Sequence, residues 1–122
     1  MGQTNGVYIM RVAAMLTGMH PQTLRKYERA GLLEPSRNKK LRMYSDSDIA
    51  RLRTIKHLVD DYGLNIAGVK IALSIQDNVL NIRKQLASLD LSTARRKQLL
   101  KTIDESLELL GADPARQELG LA

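Results

Sequence analysis

Between His20 and Gly31 the chain reads His20-Pro21-Gln22-Thr23-Leu24-Arg25-Lys26-Tyr27-Glu28-Arg29-Ala30-Gly31. Proline lacks the N–H that a first helical residue leaves unbonded anyway, so Pro21 marks a helix start. Glycine accepts the left-handed conformation in which many helices end, so Gly31 marks its stop. Between these limits Gln22, Arg25, Lys26 and Arg29 fall at i, i+3, i+4 and i+7 and share one face. Leu24 and Tyr27 lie on the other side and are expected to anchor the helix. Such a stripe serves either as a solvated surface or as a surface for a polyanion.

The segment upstream favours the polyanion. Ile9, Val12, Ala13 and Leu16 recur at helical spacing and run into Thr17-Gly18-Met19, a short turn built on a glycine. Two short helices about a tight turn make a helix-turn-helix, whose second helix enters the major groove with its N-terminal residues nearest the base edges. Gln22, Thr23, Arg25 and Lys26 are therefore the expected base-reading residues, with Arg29 further along the same face.

Downstream, Leu41 and Met43 alternate with Lys40, Arg42 and Tyr44, which predicts a small β-hairpin after Pro35. A basic two-stranded flap beside a helix-turn-helix is a wing, and its expected phosphate contacts are Arg37, Lys39, Lys40, Arg42 and Tyr44. From His20 to Tyr44 seven basic residues stand against two acidic ones, leaving +5 of the chain's +6 in the two elements that would touch a duplex. Cations so placed displace condensed counterions, so binding should weaken steeply with salt.

These residues carry a resemblance. Ile9 to Leu33, centred on Thr23-Leu24-Arg25-Lys26-Tyr27-Glu28-Arg29-Ala30-Gly31-Leu32-Leu33, resembles the DNA-binding domain of the MerR family of transcription regulators, a likeness reaching to about residue 75. Val12-Ala13-Ala14, His20 to Arg25, and Leu64-Asn65-Ile66-Ala67-Gly68-Val69-Lys70 are most similar to its heat-shock repressors. The resemblance implies that Arg25 and Tyr27 lie at the DNA backbone and that Arg42 and Tyr44 match the wing's Arg-x-Tyr. Many relatives carry a second tyrosine where this chain has Lys26, so a flexible cation replaces a rigid aromatic there. Tyr27 also has a plainer role open to it, because the chain has four tyrosines and no Phe or Trp to fill its core. The resemblance further implies control of chaperone genes, with a DnaK-type chaperone as co-repressor.

Ser45 is the expected N-cap of a third helix, with Asp46 and Asp48 in its first turn and Ile49, Leu52, Ile55, Val59 and Tyr62 as its apolar stripe up to Gly63. Asn65 is expected to cap a further short helix through Ile66, Val69 and Leu73. Val79, Ile82, Leu86, Leu89, Leu100, Ile103, Leu107 and Leu110 then fall in one 3-4 heptad frame, a seam that needs a partner. Two readings stay open. In one, a long helix pairs with a second subunit, as the resemblance implies; in the other, Asp90, Ser92 and Thr93 break it and Ser92 caps a second helix of an intramolecular hairpin, and the two are compatible if each arm packs on both its own mate and the other subunit. The domain expectation is a winged helix-turn-helix over 1–75, a dimerisation arm over 76–111 and a flexible tail over 112–122.

Composition excludes several classes. With 43% hydrophobic but only 3% aromatic residues, any core must be aliphatic. No cysteine is present, so disulfides and thiolate metal ligation are ruled out, and no metal or cofactor is expected. The two histidines show no metal spacing, nucleophile motif or Gly-rich phosphate loop beside them: His20 reads as a capping or phosphate-touching residue and His57 as a surface residue. The first six residues are too short and polar for a signal peptide, and no run is long enough to span a membrane. The sequence therefore predicts a mainly α, winged helix-turn-helix, non-enzymatic regulator, a homodimer on an inverted repeat of double-stranded DNA in a bacterial cytoplasm, associated with the nucleoid. A nitrogen-metabolism regulator of the same family and an RNA-binding or protein-adaptor module are its rivals. The lack of aromatics placed for base stacking disfavours the second.

Overall fold

A computed structural model describes residues 6–38 and 41–112. The chain runs β1 (Tyr8–Ile9), α1 (Met10–Thr17), α2 (Pro21–Arg29), β2 (Ser36–Asn38), β3 (Leu41–Tyr44), α3 (Asp46–Asp60), α4 (Ile66–Ala87) and α5 (Thr93–Leu109). The expected wing hairpin is present, and the sheet gains a third strand. β3 lies between β1 and β2, antiparallel to both, with Tyr8 opposite Tyr44 and Arg37 opposite Arg42.

α1 and α2 form the helix-turn-helix. Gly18 ends α1 in the left-handed region at φ 66°, and Gly31 follows α2 at φ 78°, both conformations that a side chain resists. Ala13, Ala14 and Thr17 form the buried face of α1, whereas Ile9 and Leu16, two of the four residues expected on that stripe, are exposed. Alanines let α1 approach its neighbours closely, which bulkier residues at those positions would prevent. Thr17 loses no hydrogen bond by burial, since its hydroxyl donates to the Ala13 carbonyl at 2.9 Å.

α3 is the spine behind this motif. Ser45 caps it in a reciprocal box, its hydroxyl accepting from the Asp48 N–H at 3.0 Å while the Asp48 carboxylate accepts from the Ser45 N–H at 2.9 Å. Ile49, Leu52, Ile55 and Leu58 are buried, so Leu58 joins the core in place of Tyr62, which lies past the helix and is half exposed. Arginines on α3 hold both ends of the helix-turn-helix. Arg53 donates to the Leu16 carbonyl at 3.3 Å, and Arg51 donates to the Leu32 carbonyl at 2.5 Å while meeting Asp77 of α4 at 3.4 Å. The core that results joins Leu24, Tyr27, Leu32, Leu33 and Tyr44 to the α3 residues and to Val69 and Leu73 of α4.

Asn65 caps α4 as expected, accepting from the Gly68 N–H at 2.9 Å, but the helix is long rather than short. It runs unbroken through the boundary expected at 75/76, so head and arm share one helix. The chain then turns, and Ser92 caps α5 by accepting from the Arg95 N–H at 3.2 Å. The hairpin reading of the arm is the one the structure contains. Leu86 and Leu107 are buried in the arm, Arg83 pairs with Asp104 at 2.9 Å, and Arg96 donates to the Ala87 carbonyl at the end of α4 and to the Leu89 carbonyl in the turn beyond it. α5 returns to the head: Leu110 packs on the core and Ala112, expected to begin a tail, is buried. Residues 113–122, where the rest of that tail was expected, and residues 1–5 lie outside the described residues.

Candidate nucleic-acid interface

The helix dipole and its cap organise α2. His20 precedes it in an extended conformation, and its Nδ1 accepts from the Gln22 N–H at 3.0 Å, so that nitrogen carries no proton. Of its two expected roles His20 takes the capping one. Leu24 and Tyr27 bury the inner face, which turns Gln22, Lys26 and Arg29 outward to solvent and leaves Thr23 and Arg25 half buried at its margins. Arg25, Lys26 and Arg29 form no ion pair with any described residue. Lys26 and Arg29, in the last turn, favour the negative end of the helix dipole while pointing their charge outward.

The wing divides the other expected residues. Arg37 sits in β2 opposite Arg42, and Lys39 and Lys40 lie outside the described residues. Arg42 is half buried and engaged with Glu28 of α2, its Nε donating at 2.9 Å to Oε1. Tyr44 departs from its expected place: it is fully buried in the core, so it offers no surface to a phosphate. Tyr27 likewise takes the core-filling role left open by the sequence. Burial pushes the Tyr44 hydroxyl up to about 12, helped by the negative charge of Glu28 and opposed by Arg42 and Arg25. Burial also raises Tyr27, with Asp60 adding to it. Both phenols are neutral over the physiological range.

The expected dimer seam is shared between two surfaces. Leu86 and Leu107 are buried inside the hairpin, with Val79, Leu100, Ile103 and Leu110 half buried, while Ile82 on α4 and Leu89 just past its end are about half exposed. They stand there with Ile71 and Ile75, two residues the heptad frame had not included.

His57 is partly exposed, as a residue at the surface, but it is also packed on one side. Its Nδ1 lies 2.5 Å from Asp61, Tyr62 meets its ring edge-on, and Gly111 lies so close that a Cβ there would reach the imidazole at 2.6 Å. Arg51, Arg53 and Glu28, which fix the surface without belonging to the stripe, carried no local signal, because a charged residue on a polar helix face reads as solvated whatever it touches. Among the described residues no cluster of His, Asp or Glu is placed to hold a metal ion, and no helix is long and apolar enough to cross a membrane.

A basic helix held at a fixed angle beside a β-wing, both clamped from behind by one helix, defines a winged helix-turn-helix nucleic-acid-binding protein. Residues 8–75 match the family described as MerR HTH family regulatory protein, and the chain belongs to that family of transcriptional regulators. It is 43% identical over 84 residues to the heat shock protein HspR of Streptomyces coelicolor, which covers 68% of this chain and 56% of HspR. The chain thus spans little more than half the length of that relative. It is 33% identical over 94 residues to the HTH-type transcriptional regulator GlnR of Bacillus cereus, covering 71% of this chain and 72% of GlnR. With the HTH-type transcriptional regulator MlrA of Escherichia coli the identity is 39% over 70 residues, only 28% of MlrA. GlnR and MlrA are transcriptional regulators by name, in agreement with the family match and a non-enzymatic reading of the sequence.

Proposed function

We propose that this chain is a dimeric, sequence-specific repressor that binds an inverted repeat in double-stranded DNA and controls heat-shock genes. The observation that carries the DNA contact is the outward stripe of Gln22, Lys26 and Arg29 with Arg25 beside it, three cations with no ion-pair partner among the described residues on an anchored helix. Arg37, Lys39 and Lys40 of the wing would add phosphate contacts. Two such helices, about one helical turn or roughly 34 Å apart, would enter successive major grooves. The likeness to HspR supports the choice of heat-shock genes.

The dimer would form on the outside of α4. Ile75 and Ile82 stand seven residues apart there, with Ile71, Asn78 and Gln85 in the alternate heptad position and Leu89 just past the helix end, a seam interrupted by polar residues that would fix register. A second copy is the occupant because the same stripe then serves both partners about a two-fold axis.

The test is selection of duplexes from a random-sequence pool by the full chain. An enriched palindrome supports the reading, and RNA preferred over duplex, or no enrichment, sinks it. Replacing Lys26 and Arg29 together by Ala should weaken binding to all duplexes and flatten the salt slope by about two units if both meet phosphate. Arg25→Ala should relax specificity at one base position if it reaches a base edge. A reporter driven by the selected site distinguishes repression from activation, and addition of a DnaK-type chaperone to the binding assay tests the co-repressor. A GlnR-type regulon is the second reading, favoured by the longer match to GlnR, which extends over 72% of that relative. Genome-wide mapping of binding sites separates the two and tests the expected place of action on the bacterial nucleoid.

A further inference from the structure

α2 carries one acid, Glu28, on a helix otherwise lined with cations. A carboxylate facing phosphate lowers affinity, so its presence calls for a function. In the structure it faces Arg42: the guanidinium Nε lies 2.9 Å from Oε1 and 2.8 Å from Oε2, with side chains 33% and 16% exposed for Arg42 and Glu28. An ion pair this sheltered is screened less than a surface pair. Its two partners belong to different elements, the last turn of the recognition helix and the central strand of the wing. The strand has a second anchor two residues on, where Tyr44 is fully buried in the core. The β2 position opposite Arg42 is Arg37, so strand pairing brings Arg42 no acidic partner. Glu28 supplies the counter-charge.

We propose that Glu28 and Arg42 are positioning residues: their ion pair fixes the angle between recognition helix and wing, and Arg42 acts on DNA through that angle rather than by holding a phosphate. This rests on the reading of α2 and the wing as the DNA surface. It reverses the role expected of Arg42 from its place in the wing, and it gives Glu28 a role that a phosphate-facing acid would lack. The two views differ in sign. An acid that merely repels DNA, once neutralised, leaves binding tighter and releases Arg42 to a phosphate. An acid that holds the wing, once neutralised, leaves binding weaker.

The experiment uses the full chain and its variants Glu28→Gln, Arg42→Gln, the double change, and the exchange Glu28→Arg with Arg42→Glu. Affinity is measured across a salt series for a duplex selected by the wild-type chain, and amide hydrogen exchange is measured without DNA. Each single change should lower affinity about five- to tenfold, and the double change should lower it no further, as for two members of one unit. The salt slope should stay unchanged, amides of 36–38 and 41–44 should exchange faster in Glu28→Gln, and the exchanged pair should recover part of the loss. Tighter binding by Glu28→Gln overturns the proposal. So does a slope flattened by about one unit in Arg42→Gln, or losses that multiply in the double variant. If the wild-type chain binds no duplex, the DNA reading falls separately. Hydrogen exchange then decides alone, and unchanged wing protection in Glu28→Gln overturns the helix-to-wing lock.

Discussion

Tyr44 is the residue where local pattern and tertiary packing part company. Alternation along Leu41 to Tyr44 assigns the tyrosine to the polar face with Lys40 and Arg42, yet it is Leu41 that is exposed and Tyr44 that is buried. A four-residue strand with Leu41 and Met43 on one face and the amphipathic Arg42 and Tyr44 on the other gives no firm local reason to choose the inward face; the third strand and the α3 core choose it. The hydroxyl has no hydrogen-bond partner among the described residues, so burying it is a net cost. Tyr44→Phe should therefore raise stability by about 1 kcal/mol at pH 7, measured by urea unfolding. The pH dependence follows from linkage. With the folded-state value raised from 10.0 to about 12, the unfolded chain releases its proton first, and stability present below pH 10 is lost as the pH climbs toward 12. Tyr44→Phe should flatten that alkaline decline, and a decline as steep as in the wild-type chain would show that another group causes it.

Among elements, α3 was the most legible and α1 the least. Ser45, Asp48 and the 3-4 spacing of Ile49, Leu52 and Ile55 act over one or two turns, so sequence alone carried them. The same is true of Pro21, Asn65 and Ser92 as helix boundaries. In the cap of α3, burial pushes the Asp48 carboxyl up while hydrogen bonds from the Ser45 N–H and hydroxyl pull it back. Ser45→Ala removes one of these donors and one acceptor for the helix N-terminus. It should cost about 1 kcal/mol, a fall of a few degrees in Tm by differential scanning calorimetry, while leaving the α2 surface unchanged. A variant with unaltered Tm would mean that the buried Ser45 site tolerates the loss by rearranging Asp48. α1 was read only in part: Ala13 of the expected stripe is buried, but Ala14 and Thr17 beside it were passed over because small and polar residues look neutral in a hydrophobic pattern, although small residues are what a close helix contact requires.

For the whole molecule, the proposed dimer rests on the arm. A single heptad frame runs through both α4 and α5, but a helix can carry one apolar stripe toward its own mate and another toward a second chain. The two are separable by substitution. Ile82→Asp, on the outer stripe, should yield a folded monomer by sedimentation, with its thermal transition no longer dependent on protein concentration. Leu107→Asp, inside the hairpin, should instead bury an unpaired charge and unfold the arm, a loss of several kcal/mol visible as reduced helix by circular dichroism. If Ile82→Asp still sediments as a dimer, the outer face of α4 is not the interface. Because α5 ends against the head at Leu110, Gly111 and Ala112, unfolding the arm should also loosen the contact over His57.

The chain by itself determined the helix boundaries, the basic stripe of α2 and the concentration of charge between His20 and Tyr44, because capping, helical periodicity and net charge are properties of neighbours in sequence. Only the tertiary structure decided that Tyr27 and Tyr44 face inward, that Arg42 meets Glu28, that Arg51 and Arg53 clamp the helix-turn-helix, and that the arm folds back on itself. Each of these depends on which group approaches from a distant part of the chain. A local pattern can show that a side chain needs a partner, but not which partner arrives.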